Sequence, residues 1–152
     1  RDTVKRWKKD GQFVTGMMNF AADPDSVYDG FFFYSSHLTE MALATFGYDP
    51  RFLVAIEKNG SRTCILRYDD YDVTLNYTKG TSVSTGVLIG KKANVAREID
   101  ISMIYLQEVT AFIHALRTGK VPFTREELVK PVAVINAIEE SVRLGGKEVP
   151  IE

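Results

Sequence analysis

The stretch FLVAIEKNGSRTCILRYDDYDVTLNYT, residues 52–78, decides the fold class. Apolar and polar residues alternate along it from Phe52, which is the period-2 pattern of strands with one buried face. The pair Asn59-Gly60 interrupts the pattern and favours a tight hairpin, because both turn residues must take positive φ. Asp69-Asp70 marks a second turn. We therefore predict three antiparallel strands in a sheet that keeps one face in contact with water.

Helical patterns lie on both sides of this stretch. Residues 2–10 are expected to form a helix that ends at Gly11, and a second helix ends at Phe46-Gly47. A third is predicted over residues 101–118, with an apolar stripe along it and Asp100 as its cap. The last helix starts at a capping box formed by Thr124 and Glu127.

Further strands are expected outside the central stretch. The sequence predicts one at residues 13–20, one at residues 83–89 that continues the meander, and a short edge strand at residues 148–152. For Lys91, Lys92 and Arg97, contact with an anionic group is one possibility and a solvated loop is the favoured one. The order of elements predicts an α+β fold, in which an open, largely antiparallel sheet carries helices packed on one face.

Length and composition limit the classes of function. The 152 residues suit a single domain, and 19 basic against 20 acidic residues give no electrostatic support for a nucleic-acid partner. The single cysteine, Cys64, has no partner for a disulfide and no neighbours for a zinc site. No apolar run is long enough for a membrane span, and the first residues lack the apolar middle of a signal peptide. We expect no membrane association, no metal and a cytoplasmic location.

His37 is the strongest candidate for chemistry. It follows four consecutive aromatic residues, 31–34, and Glu40 lies three residues beyond it on the same helix. Because the unperturbed pKa of histidine is about 6.5, such a residue can both take and give a proton near neutral pH. The alternative is a semi-buried histidine that only bonds a carbonyl or Glu40. Exposure of the ring distinguishes the two interpretations.

Hydroxyl groups lie next to this histidine. Tyr34 and Ser36 offer donors and acceptors of the kind that a polyol or sugar pocket uses, although close packing alone also explains them. The other histidine, His114, has no carboxylate one turn away, so a surface or core role is favoured for it. The chain contains no Gly-x-Gly-x-x-Gly turn and no phosphate loop, so it cannot hold a dinucleotide by the usual fingerprint.

Several segments together resemble the C-terminal domain of the Gfo/Idh/MocA oxidoreductases, the glucose-fructose oxidoreductase and inositol dehydrogenase group. The resemblance extends from one end of the chain to the other. Its matching segments are residues 9–14, the motif Ser35-Ser36-His37-Leu38-Thr39-Glu40-Met41 with Phe46-Gly47, the Asn59-Gly60 turn, residues 116–127, residues 137–141 and residues 146–149.

The resemblance implies that residues 1–152 are one substrate-binding and oligomerisation domain, and that an N-terminal Rossmann domain absent from this chain holds NAD or NADP. His37 falls on the family's proton-transfer histidine, and Tyr34, Ser36 and Glu40 would contact substrate. The implied reaction is oxidation of a hydroxyl group of a sugar or cyclitol. We expect the isolated domain to bind no cofactor and to be inactive, and the full protein to be a homo-oligomer assembled through the sheet.

One position departs from the family pattern. Many members carry an Asp four residues before the histidine, where this chain has Phe33. The family's catalytic lysine belongs to the Rossmann side. A second hypothesis therefore stands beside the first: a non-catalytic module for oligomerisation or small-ligand binding, with a decayed active site.

Overall fold

The structure is a computed structural model that describes residues 1–152. Seven strands form one sheet in the order β6-β5-β1-β4-β3-β2-β7. In chain order the elements are α1 Asp2–Lys9, β1 Phe13–Ala21, α2 Phe32–Phe46, β2 Phe52–Lys58, β3 Ser61–Arg67, β4 Asp72–Thr78, β5 Thr85–Gly90, β6 Asn94–Glu98, α3 Ile104–Thr118, α4 Arg125–Arg143 and β7 Val149–Pro150.

The central stretch forms the meander that its alternation predicts. Strands β2, β3 and β4 are joined by antiparallel pairing. Asn59 and Gly60 turn between the first two with φ of 54° and 69°, so both residues take the left-handed conformation that this turn requires. The predicted edge strand is confirmed as β7, which pairs with β2.

The other half of the sheet differs from the prediction. Strand β1 lies between β4 and β5, parallel to β4 and antiparallel to β5, so β5 does not continue the meander. Strand β6 pairs with β5, and it places Arg97 in a strand where a solvated loop was favoured. This strand is short and mostly polar, as is common at a sheet edge, so its sequence carries no alternating signal. The α+β fold with a largely antiparallel open sheet is nevertheless confirmed.

The core lies between the sheet and two helices, α2 and α4. Helix α2 buries Leu38, Leu43 and Phe46, and α4 buries Val134 and Ile138. A side chain at Gly16 of β1 would collide with the Phe46 ring, so the glycine lets this ring lie directly on the strand. These contacts hold α2 in a fixed position across β1 and β4.

Helix α3 does not contribute to this core. None of its residues is buried, although an apolar stripe was predicted along it. It also begins later than expected, because the Asp100 carboxylate accepts a hydrogen bond from the Ser102 amide at 2.9 Å in a turn, and Met103 precedes the helix without a side-chain cap. No helix of the protein is long and apolar enough to cross a membrane.

Candidate functional site

The start of α2 is fixed by one aromatic residue, Phe31. Its ring is buried edge-on against the Tyr77 ring, 4.9 Å between centroids, and the Arg62 guanidinium lies 4.1 Å from the Phe31 centroid. Once Phe31 points into the core, the next three aromatic residues lie on the outside of the first helical turn. Phe32, Phe33 and Tyr34 are accordingly exposed.

His37 lies one turn further along α2, and it is exposed. Its ring packs against Phe20 of β1, with centroids 5.9 Å apart, and against Tyr34, with centroids 5.7 Å apart. No hydrogen bond or ion pair joins it to Glu40 or to another residue, so both ring nitrogens remain available to a ligand. An accessible imidazole is the arrangement that proton transfer requires.

The other predicted site residues surround His37 on the same helix. Tyr34 and Glu40 are exposed one turn before and one turn after it, and Ser36 is half-buried. Ser35, by contrast, is fully buried, and its hydroxyl makes no hydrogen bond. The structure thus places Tyr34, Ser36, His37 and Glu40 together on α2, at the end of β1 that carries Phe20.

Phe33 belongs to a continuous aromatic surface beside the histidine. Its ring lies 4.9 Å from the Tyr28 ring and 4.6 Å from the Tyr34 ring, centroid to centroid. This surface is composed of Tyr28, Phe33, Tyr34, His37 and Phe20. At the position one turn before His37, the site therefore presents an apolar face instead of a proton acceptor.

A second cluster, centred on Lys8, was not expected from the sequence. The Lys8 ammonium donates to the Phe46 carbonyl and to the Tyr71 hydroxyl, and it lies 4.2 Å from the Tyr71 ring centroid. Tyr71 also donates to the Phe46 carbonyl at 2.7 Å, and Tyr68 donates to the Gly47 carbonyl at 2.9 Å. Burial lowers the pKa of Lys8.

This Lys8 cluster fixes α1 to the end of α2, beside a cavity of about 330 Å³. The lysine and both tyrosines donate hydrogen bonds to backbone carbonyls of the protein, which indicates a structural role. The partners are far apart in the sequence, so no local motif could have predicted it.

Comparison with known proteins supports the fold and no closer relationship. The chain matches no sequence model of a protein family and no curated protein. Among solved structures it is similar to the WlbA dehydrogenase from Bordetella pertussis in complex with NADH and UDP-GlcNAcA, at 20% identity over 99% of this chain, with a TM-score of 0.69.

Two further structures show the same similarity. The aldose-aldose oxidoreductase from Caulobacter crescentus, complexed with glycerol, is 12% identical over 97% of this chain with a TM-score of 0.66. The dehydrogenase MviM from Clostridium difficile is 13% identical over 93% of this chain with a TM-score of 0.61. The chain spans 59% of the length of each of the three structures. At these identities the similarity shows that this chain has the fold of one part of these oxidoreductases.

Proposed function

We propose that this chain is the C-terminal, substrate-side domain of a Gfo/Idh/MocA oxidoreductase that acts on a hydroxyl group of a sugar or cyclitol. The observation that carries the proposal is the exposed His37 ring, which lies without a polar partner between Tyr34 and Phe20. The fold shared with three oxidoreductases over almost the whole chain supports it. Two of these were solved with hydroxyl-bearing ligands, UDP-GlcNAcA and glycerol.

In this proposal His37 takes the proton of the substrate hydroxyl when the carbon that bears this hydroxyl is oxidised to a carbonyl. The imidazole becomes imidazolium and later returns the proton to water. Tyr34 and Ser36 donate hydrogen bonds to neighbouring substrate hydroxyls, and the Glu40 carboxylate accepts one. The aromatic surface excludes water from one side of the reacting carbon.

NAD or NADP supplies the hydride acceptor of this reaction when it is bound. The chain has no glycine-rich phosphate-binding turn, so its own residues do not fit the dinucleotide. The proposal therefore assigns cofactor binding to a Rossmann domain on the N-terminal side and expects the isolated chain to be inactive.

The second candidate is a non-catalytic module for oligomerisation or small-ligand binding. It is favoured by Phe33, which presents an exposed ring one turn before His37 where many family members carry an acid. The two candidates differ in whether turnover depends on His37.

The first experiment compares turnover of the two histidine variants. A protein in which this chain is joined to its Rossmann domain is assayed for NADH or NADPH formation with sugars and cyclitols. His37→Ala should lower turnover by roughly 10²-fold or more without changing the affinity for NAD or NADP. His114→Ala is the matched control, since His114 is exposed on α3, and it should leave turnover unchanged. Unchanged turnover in His37→Ala contradicts the proposed mechanism.

We also propose that the open face of the sheet forms the interface of a homo-oligomer. This face exposes large apolar side chains on four strands: Met17, Phe52, Ile56, Ile65 and Ile89. Ile65 and Met17 lie in one row across the sheet, both opposite Thr74. Soluble monomers rarely leave a patch of this kind uncovered.

Sedimentation of the chain tests the interface. Ile65→Lys should convert an oligomer into a monomer, because it places a charge in the centre of the apolar row. Val132→Lys, at an exposed apolar position on the opposite side of the domain, is the control and should leave the assembly intact. A monomeric wild-type chain contradicts this part of the proposal.

A further inference from the structure

The helix-covered side of β1, β5 and β6 forms a floor next to His37. Phe20, which supports the imidazole, is buried on this side of β1, and so is Met18. Met18 pairs with Gly86, and Gly86 pairs with Arg97, so all three face the same way. The ladder continues one step further, where the Ile99 amide donates to the Ser84 carbonyl at 2.8 Å.

Gly86 contributes no side chain to this floor. A Cβ atom at this position would lie 3.9 Å from Ile99 Cδ1 and 4.0 Å from Met18 Cγ, which is ordinary van der Waals distance. The backbone does not require glycine either, since Gly86 is not among the residues with positive φ. At the other end of β5, Trp7 covers Gly90. Glycine therefore places no side chain of its own between Met18 and Arg97 in this row of the sheet.

Arg97 is the one charged residue among those that this side of the three strands presents. The others on the floor are Gly16, Met18, Phe20, Ser84, Gly86, Leu88, Val95 and Ile99. Arg97 takes part in none of the protein's ion pairs, and Glu98 next to it faces the opposite side. Its guanidinium is therefore free to bind an anion through two parallel hydrogen bonds.

Ser84 supplies a second polar group. The residue is only 5% exposed, and its carbonyl accepts a hydrogen bond from the Ile99 amide. It directly precedes β5, whose Thr85 pairs with Asn19 of β1. Two strand spacings separate β1 from β6, about 10 Å, and the long arginine side chain covers part of that distance.

We infer that Arg97 and Ser84 form a subsite for an anionic group of the substrate, a carboxylate or a phosphate, while a hydroxyl of the same molecule lies at His37. The inference rests on the proposed function and narrows it from sugars and cyclitols to acidic polyhydroxy compounds. The two anionic groups share the chemistry that a guanidinium recognises, and the choice of probe distinguishes them.

The test measures binding of three probes to the 152-residue chain, and amide chemical shifts in NMR spectra detect it. The probes are D-glucuronate, glucose 6-phosphate and uncharged D-glucose. At least one anion should bind more tightly than glucose, and the residues perturbed should include β5, β6 and the neighbours of His37. The anion that binds more tightly shows whether the subsite prefers a carboxylate or a phosphate. Equal affinity for both supports a subsite that accepts either group.

Three variants connect the binding to Arg97. Arg97→Gln should lower the affinity for the anion by about 10-fold or more, because it removes a charge-assisted hydrogen bond. Arg97→Lys keeps the charge without the planar fork and should retain part of the affinity. Lys92→Gln removes the same charge from the turn between β5 and β6, outside the floor, and should change affinity less than about 2-fold.

The subsite is overturned if glucose binds as tightly as the anions, if Arg97→Gln binds like the wild type, or if no probe perturbs the chain. Failure of the proposed function has a different signature. Binding without charge preference, together with turnover that depends on His37, overturns the subsite alone. Anion binding that depends on Arg97, together with turnover that does not depend on His37, supports the subsite and overturns the proposed reaction.

Discussion

Helices α3 and α4 follow one another in the chain, and their environments are opposite. Both were predicted from the sequence, α3 from an apolar stripe and α4 from the capping box at its start. Helix α4 buries six residues against the sheet and α2, whereas α3 buries none. On α3 Phe112 is 63% exposed, and on α4 Ile138 is fully buried.

The difference in burial comes from the strands to which each helix is connected. Helix α3 follows β6, the strand at one edge of the sheet, and none of its residues is buried. Helix α4 ends in the turn that leads into β7 at the other edge, so it must cross the face of the sheet beside β2. An apolar stripe therefore predicts that a helix forms, and the connections decide whether this chain buries it.

The largest effect should come from removing a buried side chain of α4. Ile138→Ala deletes fully buried methyl groups and leaves a cavity, so the free energy of unfolding should fall by about 3 kcal/mol. Ile113→Ala makes the same change on α3, where the side chain is 41% exposed, and should cost no more than about 0.5 kcal/mol. Urea unfolding of the chain measures both, and equal losses would show that α3 packs as α4 does.

A smaller loss is expected at a buried hydroxyl of α4. Ser141 Oγ donates to the Lys147 carbonyl at 2.6 Å and accepts from the Ala55 amide at 2.8 Å, which joins the helix to β2. Ser141→Ala leaves both groups without their partner and should cost about 2 kcal/mol. On α3, Thr110 donates to the Leu106 carbonyl at an exposed site, so Thr110→Ala is the matched control. A Ser141 variant as stable as its Thr110 counterpart would contradict the expectation.

The smallest of the three effects lies at the helix start. Thr124 and Glu127 form a capping box: the Glu127 amide donates to Thr124 Oγ1 at 3.2 Å, and the Thr124 amide donates to Glu127 Oε2 at 2.8 Å. Thr124→Ala should lower the free energy of unfolding by about 1 kcal/mol. Helix α3 offers no equivalent, because Met103 precedes it without a side-chain cap.

The capping box also predicts a dependence on pH. The hydrogen bond from the Thr124 amide lowers the pKa of the Glu127 carboxyl below its usual value. The contribution is therefore present above the unfolded carboxyl pKa of about 4.3 and is lost as pH falls through the lower folded pKa. Wild type and Glu127→Gln should differ in unfolding midpoint at neutral pH and converge in acid. A difference that persists in acid would point to another cause.

Prediction from sequence succeeded where the signal was local. The Asn59-Gly60 hairpin, the alternating strands and the Thr124 capping box each depend on residues within a few positions, and all three are confirmed. The placement of β1 between β4 and β5 was missed, because strand pairing over a long separation leaves no local pattern. The same holds for the hydrogen bond between Lys8 and Tyr71, which lie 63 residues apart in the sequence.

The candidate site shows the same division. The sequence singled out Tyr34, Ser36, His37 and Glu40 because they lie close together on one helix, and their roles stay predictions. It gave no reason to connect Arg97 with them. Arg97 reaches the same side of the sheet through the pairing of β6 with β5 and of β5 with β1, and an edge strand of mostly polar residues carries no signal of either pairing.

The sequence by itself determined most of the local structure of this protein: the helices and strands other than β6, the main turns, and the helix that carries the histidine. These follow from periodicity, turn chemistry and caps, whose free energies depend on near neighbours. The tertiary structure alone decided that β1 splits the meander, that α4 is buried and α3 is not, and that Arg97 and His37 share one side of the sheet. Those outcomes depend on strand pairing and burial between residues far apart, which no local pattern encodes.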